Sequence, residues 1–276
     1  MSSNSNNRRA KLQFPIYIGL WIPYYLLSIA PAIILVALYC YYLLFPLFNS
    51  SIVFTWSQSL VFFITPLVLL ALYLFKLFCS ATMAKFYYWM FNKIRPRKEM
   101  INALPRGETA PDVQMYWTRN FFLRLIKWEF TKCPFPWLVN WMFNYVGSTK
   151  IGKGAVIDKP GYICQEYLEL GKNCYIGPMS AQSTHVNEGV YGGFSLKRIV
   201  MANNSVLCTR CMIGPGVEIG ENTQILPMSG ITKFTKLKPD STYYGLPVGR
   251  ISDKRFQKFV QLPSELKNTT KEEPSK

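Results

Sequence analysis

Histidine is almost absent, with one in 276 residues. That excludes a metal site built on several imidazoles of one chain. Acidic side chains are also few, 15 against 31 Lys and Arg, for a formal charge of +16. Such a balance selects anionic partners. The cations sit beside hydrophobic segments and no nucleic-acid-binding module accompanies them. Membrane lipid is therefore the expected partner and nucleic acid is not. No phosphate-binding glycine loop and no strand–turn–helix serine nucleophile signature occurs. The seven cysteines form no disulfide-like framework, which suits a reducing compartment. Cys208 and Cys211 make a single Cys-x-x-Cys without a second pair or a nearby histidine, so no metal is expected.

Charge is missing altogether between Lys11 and Lys76. This interval is too long for one membrane span and suits two. Pro46, Asn49, Ser50 and Ser51 mark the break between a span from about Ile16 to Leu47 and another from about Ser59 to Phe78. Pro23 and Pro31 should bend the first, and Pro66 lies in the second. Arg8, Arg9 and Lys11 flank one end of the pair. Lys76, Lys85, Lys93, Arg95, Arg97 and Lys98 follow the other, and the connecting loop has no cation. The positive-inside rule then places both ends in the cytoplasm. The pattern gives a disordered tail over residues 1–13 and two transmembrane helices over 14–82. Interfacial or amphipathic helices follow over 83–148. There Tyr87, Tyr88, Trp89 and Phe91 mix with cations, and Phe121, Leu125 and Trp128 share a helix side. This stretch reads either as a platform on the bilayer or as a helical cap over the next domain. Residues 251–276 form a second polar, disordered tail.

The stretch from Ile151 to Tyr243 reads in sixes. Ile151, Ile157 and Ile163 are six apart, and Leu170 and Ile176 resume the spacing after a one-residue slip. Met201, Leu207, Ile213, Ile219, Ile225, Ile231, Leu237 and Tyr243 then follow without a break. A small residue stands four positions after most of them, as at Ala155, Cys174, Ser205, Cys211, Thr223 and Ser229. A period of six fits neither a helix nor an alternating strand. It marks a parallel β-helix in which each hexapeptide supplies one short strand and one turn. About four coils are expected over residues 149–250, their aliphatic side chains stacked inside a triangular prism.

Ile213-Gly214-Pro215-Gly216-Val217 and Ile219-Gly220-Glu221-Asn222-Thr223 resemble the hexapeptide motif of the left-handed β-helix acyltransferases. Tyr244-Gly245-Leu246-Pro247-Val248 resembles the exit after that superfamily's last coil. Membrane segments followed by a Trp-rich basic stretch and Val146-Gly147-Ser148-Thr149-Lys150-Ile151-Gly152 make a layout similar to the carboxy-terminal membrane and β-helix region of polylysine-synthetase-type peptide synthetases. That likeness covers about residues 100–250. The fold class expected is a membrane α-helical hairpin plus an all-β left-handed parallel β-helix.

The hexad register fails between Ile176 and Met201, and the inserted stretch holds the sole histidine, His185. Insertions at β-helix corners are where functional loops emerge. The resemblance implies that His185 is a general base that deprotonates a hydroxyl or amine acceptor, with Glu188 orienting it. The co-substrate would be an acyl-CoA or an acyl-pantetheine carrier, with a carrier protein as a possible partner. Ser229 and Gly230 would meet the pantetheine arm, and Lys233, Lys236 and Arg250 the nucleotide end. Lys197 and Arg198 either hold a phosphate or form a solvated face. The layout implies an integral membrane protein with its β-helix on the cytoplasmic side, assembled as a homo-oligomer, with a trimer favoured. The competing class is a non-catalytic membrane-bound scaffold or oligomerisation module.

Overall fold

The computed structural model describes residues 14–49, 55–101, 111–158, 164, 166–188, 193–252 and 255–256. The tail over 1–13, nearly all of that over 251–276 and the turn after Asn49 lie outside the described residues. The chain forms two compact units, Met1–Lys98 with Leu104–Ser148 and Glu99–Ala103 with Thr149–Lys276.

The first unit is helical. Helix α1 is Phe14–Tyr39 and α2 is Phe45–Asn49, joined by a π turn over Cys40–Leu44. Pro23 and Pro31 lie within α1. Helix α3 runs over Trp56–Ile94, α4 over Pro111–Thr131 and α5 over Trp137–Val146. At the start of α3 the Gln58 carbonyl oxygen accepts the Thr55 N–H at 2.7 Å, and its amide donates to Leu47 O at 3.0 Å. One side chain thus satisfies a helix-start donor and ties α3 to Leu47 of α2. The second span was expected to end near Phe78, but α3 continues to Ile94. No glycine or proline lies between Phe78 and Ile94, so nothing stops the helix. Pro96 does stop it: Arg95 is extended at φ −142° and ψ 106°, the conformation that a following proline favours.

Small buried residues let α1 and α3 approach closely: Ser28 and Ala32 on one, Ser80, Ala81 and Ala84 on the other. Tyr24 is buried, with its ring 5.6 Å from Phe122, and Tyr87 stacks on Phe122 at 4.6 Å. Helix α4 buries Phe122, Leu123, Ile126 and Phe130 rather than the side carrying Phe121, Leu125 and Trp128. Trp128 is 60% exposed. Apolar residues surround most of this helix, so packing and not periodicity chooses the buried side.

The second unit is a parallel β-helix with three faces. One face pairs Lys150–Ile151, Leu168–Leu170, Ile199–Met201, Glu218–Ile219 and Lys236–Leu237. The next pairs Val156–Ile157, Tyr175–Ile176, Val206–Leu207, Gln224–Ile225 and Thr242–Tyr244, closed by the antiparallel strand Gly249–Ile251. The third pairs Ala181–Gln182, Met212–Ile213 and Gly230–Ile231. Ile151, Leu170, Met201, Ile219 and Leu237 lie over one another, as do Ile176, Leu207, Ile225 and Tyr243. All of these are buried.

The corners have their own chemistry. Asn173, Asn204, Asn222 and Asp240 all take positive φ, between 49° and 56°. Left-handed backbone of this kind suits Asn and Asp among non-glycine residues. Their side chains form a ladder from coil to coil, at 3.3 Å from Asn173 to Asn204, 3.1 Å to Asn222 and 2.9 Å to Asp240. Gly154 heads this ladder at φ +77°, where a Cβ would come within 2.3 Å of Asn173 Oδ1.

The hexad register also persists one step beyond Ile176. Gln182 occupies an aliphatic position, in register with Ile213, and points into the prism. Neither Nε2 nor Oε1 of Gln182 has a hydrogen-bond partner. Sequence spacing alone hides this, because glutamine does not read as a core residue. Two substitutions should therefore separate in thermal unfolding. Ile219→Asp buries a lone charge and should cost several kcal/mol. Gln182→Leu removes two unsatisfied polar atoms and should leave the melting temperature unchanged or higher.

Candidate functional site

After Gln182 the coil opens into an antiparallel hairpin, His185–Glu188 paired with Gly193–Leu196. The connecting residues 189–192 lie outside the described residues. The hairpin is closed at its base, where Lys197 N–H donates to Thr184 O at 2.9 Å. Met100 adds a third rung on the far side of Leu196: Met100 N–H donates to Leu196 O at 2.8 Å, and Leu196 N–H donates to Met100 O at 2.7 Å. Arg198 secures the same region through Glu99 at 3.3 Å and Glu169 at 2.8 Å. Leu196 is thus flanked by His185 and by Met100, and its side chain is fully buried.

His185 is half-buried at the start of this ribbon. Its ring stacks on Phe194 with centroids 6.0 Å apart and planes 22° apart. The Ser183 hydroxyl donates to the His185 carbonyl at 2.6 Å. Glu188 ends the strand opposite Gly193, and its side chain lies outside the described residues.

The corner beyond the third face carries a cation–aromatic cluster. The Lys197 and Lys233 ammonium groups lie 5.5 and 5.6 Å from the centroid of the Phe234 ring. Phe234 takes positive φ, 61°, and Gly216 one coil earlier leaves the room it needs. A Cβ at Gly216 would come within 2.5 Å of the Phe234 ring and 2.8 Å of the Lys197 stem. Two cations against one ring make a place for an anion bearing an aromatic group. Since Lys197 also closes the hairpin that begins at His185, this corner and the histidine belong to one local assembly.

The other expected contacts lie elsewhere or are engaged. Lys236 is on the first face, ion-paired with Glu218 at 2.8 Å. Arg250 is exposed on the closing strand opposite Tyr243. Ser229 is buried; its hydroxyl donates to Leu226 O at 2.7 Å and accepts the Gly245 N–H at 3.2 Å. Gly230 donates to Gly245 O at 2.9 Å and accepts from Val248 N at 3.0 Å. The close approach that Gly230 permits is taken by Leu246, whose Cδ1 would clash with any Cβ there. Arg198 is held by two carboxylates, so of the two cations after the hairpin only Lys197 joins the cluster.

Beneath the hairpin the interior is polar. Cys164 donates its thiol to Gln182 O and its sulfur accepts the Thr184 N–H at 3.1 Å. The Thr184 hydroxyl is buried without a partner, and Glu166 and Ser195 are fully buried nearby in sequence. Phe234, Met100 and these buried polar residues had no periodic signal to reveal them. Among the described residues no group of three or more His, Cys, Asp or Glu is arranged to hold a metal ion.

No family model matches the chain, and no curated protein matches it in sequence. Among solved structures it is similar to a hexapeptide-repeat acetyltransferase from Vibrio cholerae complexed with acetyl coenzyme A, at 14% identity and TM-score 0.41, over 52% of this chain and 90% of that one. It is also similar to serine acetyltransferase from Neisseria gonorrhoeae with serine, at 14% identity and TM-score 0.33, over 65% and 74%. A third is an N-acyltransferase from Bacillus cereus with dTDP and 3-hydroxybutyryl-CoA, at 18% and 0.29, over 46% and 82%. The β-helix assignment for this chain stands on its own strand ladders.

Two outcomes follow for this region. Met100→Pro deletes one rung of the clamp, so amides of residues 193–196 should exchange hydrogen about tenfold faster while the coils keep their protection. Burial pushes the Cys211 thiol up from 9.0 to about 11, which leaves it protonated near neutral pH. The unfolded thiol ionises first, so stability is intact below pH 9 and falls as pH rises from 9 to about 11. Cys211→Ala should remove a loss on the order of 1–3 kcal/mol across that window in alkaline denaturation.

Proposed function

We propose that this chain is a membrane-anchored acyltransferase. It would move an acyl or aminoacyl group from a CoA thioester to a hydroxyl or amine acceptor. The observation that carries the reading is the corner insertion: the sole histidine stands on a clamped hairpin whose base shares Lys197 with the cationic ring cluster at Phe234. His185 would take the proton of the acceptor as its oxygen or nitrogen bonds to the acyl carbon. The carbon–sulfur bond breaks, and the departing thiolate recovers a proton to leave as free CoA. Lys197 and Lys233 fit the phosphates of such a donor, and Phe234 its adenine. Glu188 remains a candidate for orienting the imidazole. A carrier-bound pantetheine would present the same thioester.

The hexapeptide motifs at Ile213 and Ile219 support a left-handed coil, and the order of segments supports kinship with the polylysine-synthetase-type proteins. Two helices, Tyr17–Leu47 and Trp56–Ile94, are long and apolar enough to cross a membrane. Their large side chains stand uncovered, Leu26 at 60% and Phe63 at 79% exposure, which water would penalise and lipid would not. The charge asymmetry across them supports a cytoplasmic β-helix. The boundaries 14–82, 83–148 and 149–250 remain the proposed domain limits, with α3 continuing as a helix beyond the second span and past residue 82.

One observation favours the scaffold reading. Met179, Met212, Met228 and Leu246 are 65–77% exposed on and beside the third face. Such a surface suits assembly into a homo-oligomer, for which a trimer is proposed.

A single assay separates the readings. Full-length protein in lipid should release free thiol from an acyl-CoA in the presence of hydroxyl or amine acceptors. His185→Ala should lower turnover by about 10²–10⁴ with the melting temperature and oligomer size unchanged. Lys233→Glu should raise the KM for acyl-CoA more than it lowers kcat. Unchanged turnover in His185→Ala defeats the catalytic assignment. Failure of the wild type to bind or consume any acyl-CoA leaves the scaffold.

A further inference from the structure

A cavity of about 380 Å³ lies between α1 and α3, lined by Ile29, Ala32, Ile33, Val36, Leu69, Leu72, Tyr73 and Lys76. Its floor is the small, buried Ala32, and its rim includes the exposed Ile33 and Leu69. All of its lining is hydrocarbon except the Tyr73 hydroxyl and the Lys76 ammonium, both at the Lys76 end. Lys76 is half-buried and held by Glu129 at 2.6 Å. It stands twenty residues along α3 from Trp56, about 30 Å of helix rise, which is the thickness of a bilayer's hydrocarbon core. With Trp56 at one boundary, Lys76 reaches the headgroup plane of the other, and the cavity runs from there into the acyl region. Its volume is that of an ordinary ligand site.

We infer that this cavity binds one acyl chain of a membrane phospholipid, with the phosphate at Lys76. An acyl chain fits the apolar lining. A phosphate fits the ammonium, which Glu129 positions while two of its three N–H donors remain for a ligand. The inference rests on the proposal that α1 and α3 span the membrane. It does not depend on acyl transfer.

The test is native mass spectrometry of the full chain, released from nanodiscs that contain equal small fractions of phosphatidylglycerol and of diacylglycerol with the same chains. The wild type should retain one phosphatidylglycerol at least about tenfold more often than one diacylglycerol, the gain of a charge-assisted contact. Leu72→Trp, which fills the cavity, should abolish this retention. Leu70→Trp, on α3 but outside the lining, should not. Lys76→Gln with Glu129→Gln removes both partners of the ion pair together, so no buried charge is stranded, and should erase the preference while Lys76→Arg keeps it. Equal retention of the two lipids by the wild type would overturn the phosphate assignment. Equal retention by wild type and Leu72→Trp would overturn the cavity. Alkaline carbonate extraction of membranes is read alongside: release of the wild-type chain would defeat the spanning hairpin itself, and with it the inference.

Discussion

Everything in the second unit depends on one coil lying directly over the next. A residue eighteen positions on falls at the same corner, as Asn204 over Asn222 and Asn222 over Asp240 show. Each short strand has only two or three residues and would not persist alone. It survives because its neighbours above and below satisfy its backbone and bury its aliphatic side chain. The requirement is cooperative, and it explains why the corners are so constrained. A corner must turn the chain within a few residues, which here needs left-handed backbone. Asn and Asp tolerate that geometry and link their amides along the axis. The ladder gives these residues a second role, tying each corner to the next by a side-chain hydrogen bond.

The same regularity makes a departure conspicuous. Leu170 and Met201 are stacked neighbours, yet 31 positions separate the matching corner residues Asn173 and Asn204 where an ordinary coil has eighteen. The surplus is the hairpin. A hairpin of this length is marginal in isolation. It is made definite by its borders: the Lys197–Thr184 closure, the Met100 rungs and the Arg198 ion pairs. The rigid prism supplies the base, and residues far away in sequence supply the clamp. This arrangement holds an imidazole in one orientation without making it part of the core.

How much of this was legible follows from the kind of signal each part leaves. The aliphatic period named the parallel β-helix because Met201 to Tyr243 keeps an unbroken spacing. The charge-free interval marked two apolar helices, and the lack of a stop signal after Phe78 explains why α3 outran its expected end. His185 drew notice as the sole histidine in a register gap. Phe234 did not, because an aromatic at a corner has no periodic partner and its meaning depends on Gly216 and Lys197 from other coils. Gln182 was invisible for the opposite reason: it keeps the period but has the wrong chemistry for it. Ser229 and Gly230 carried the right residue types, yet the chain's own exit segment uses the space they leave.

His185 rather than a buried thiol is the proposed base because of where each group stands. Cys211 lies inside the stack, and burial pushes its thiol up to about 11, so it offers neither a thiolate nor access. Cys164 is also buried; its sulfur sits between the Gln182 carbonyl and the Thr184 N–H and helps shape the polar interior under the hairpin. His185 is half-buried, with one ring face on Phe194 and its strand paired along Gly193–Leu196. A general base needs an intermediate environment of that kind, dry enough to be positioned and open enough to meet an acceptor. A stacked ring also loses little freedom on binding, because Phe194 already restricts its rotation. The buried polar atoms of Gln182 and Thr184 lie on the chain segment that leads directly into this histidine. Polar groups left unpaired in a core weaken it, and such groups gather where function, rather than packing, has chosen the residue.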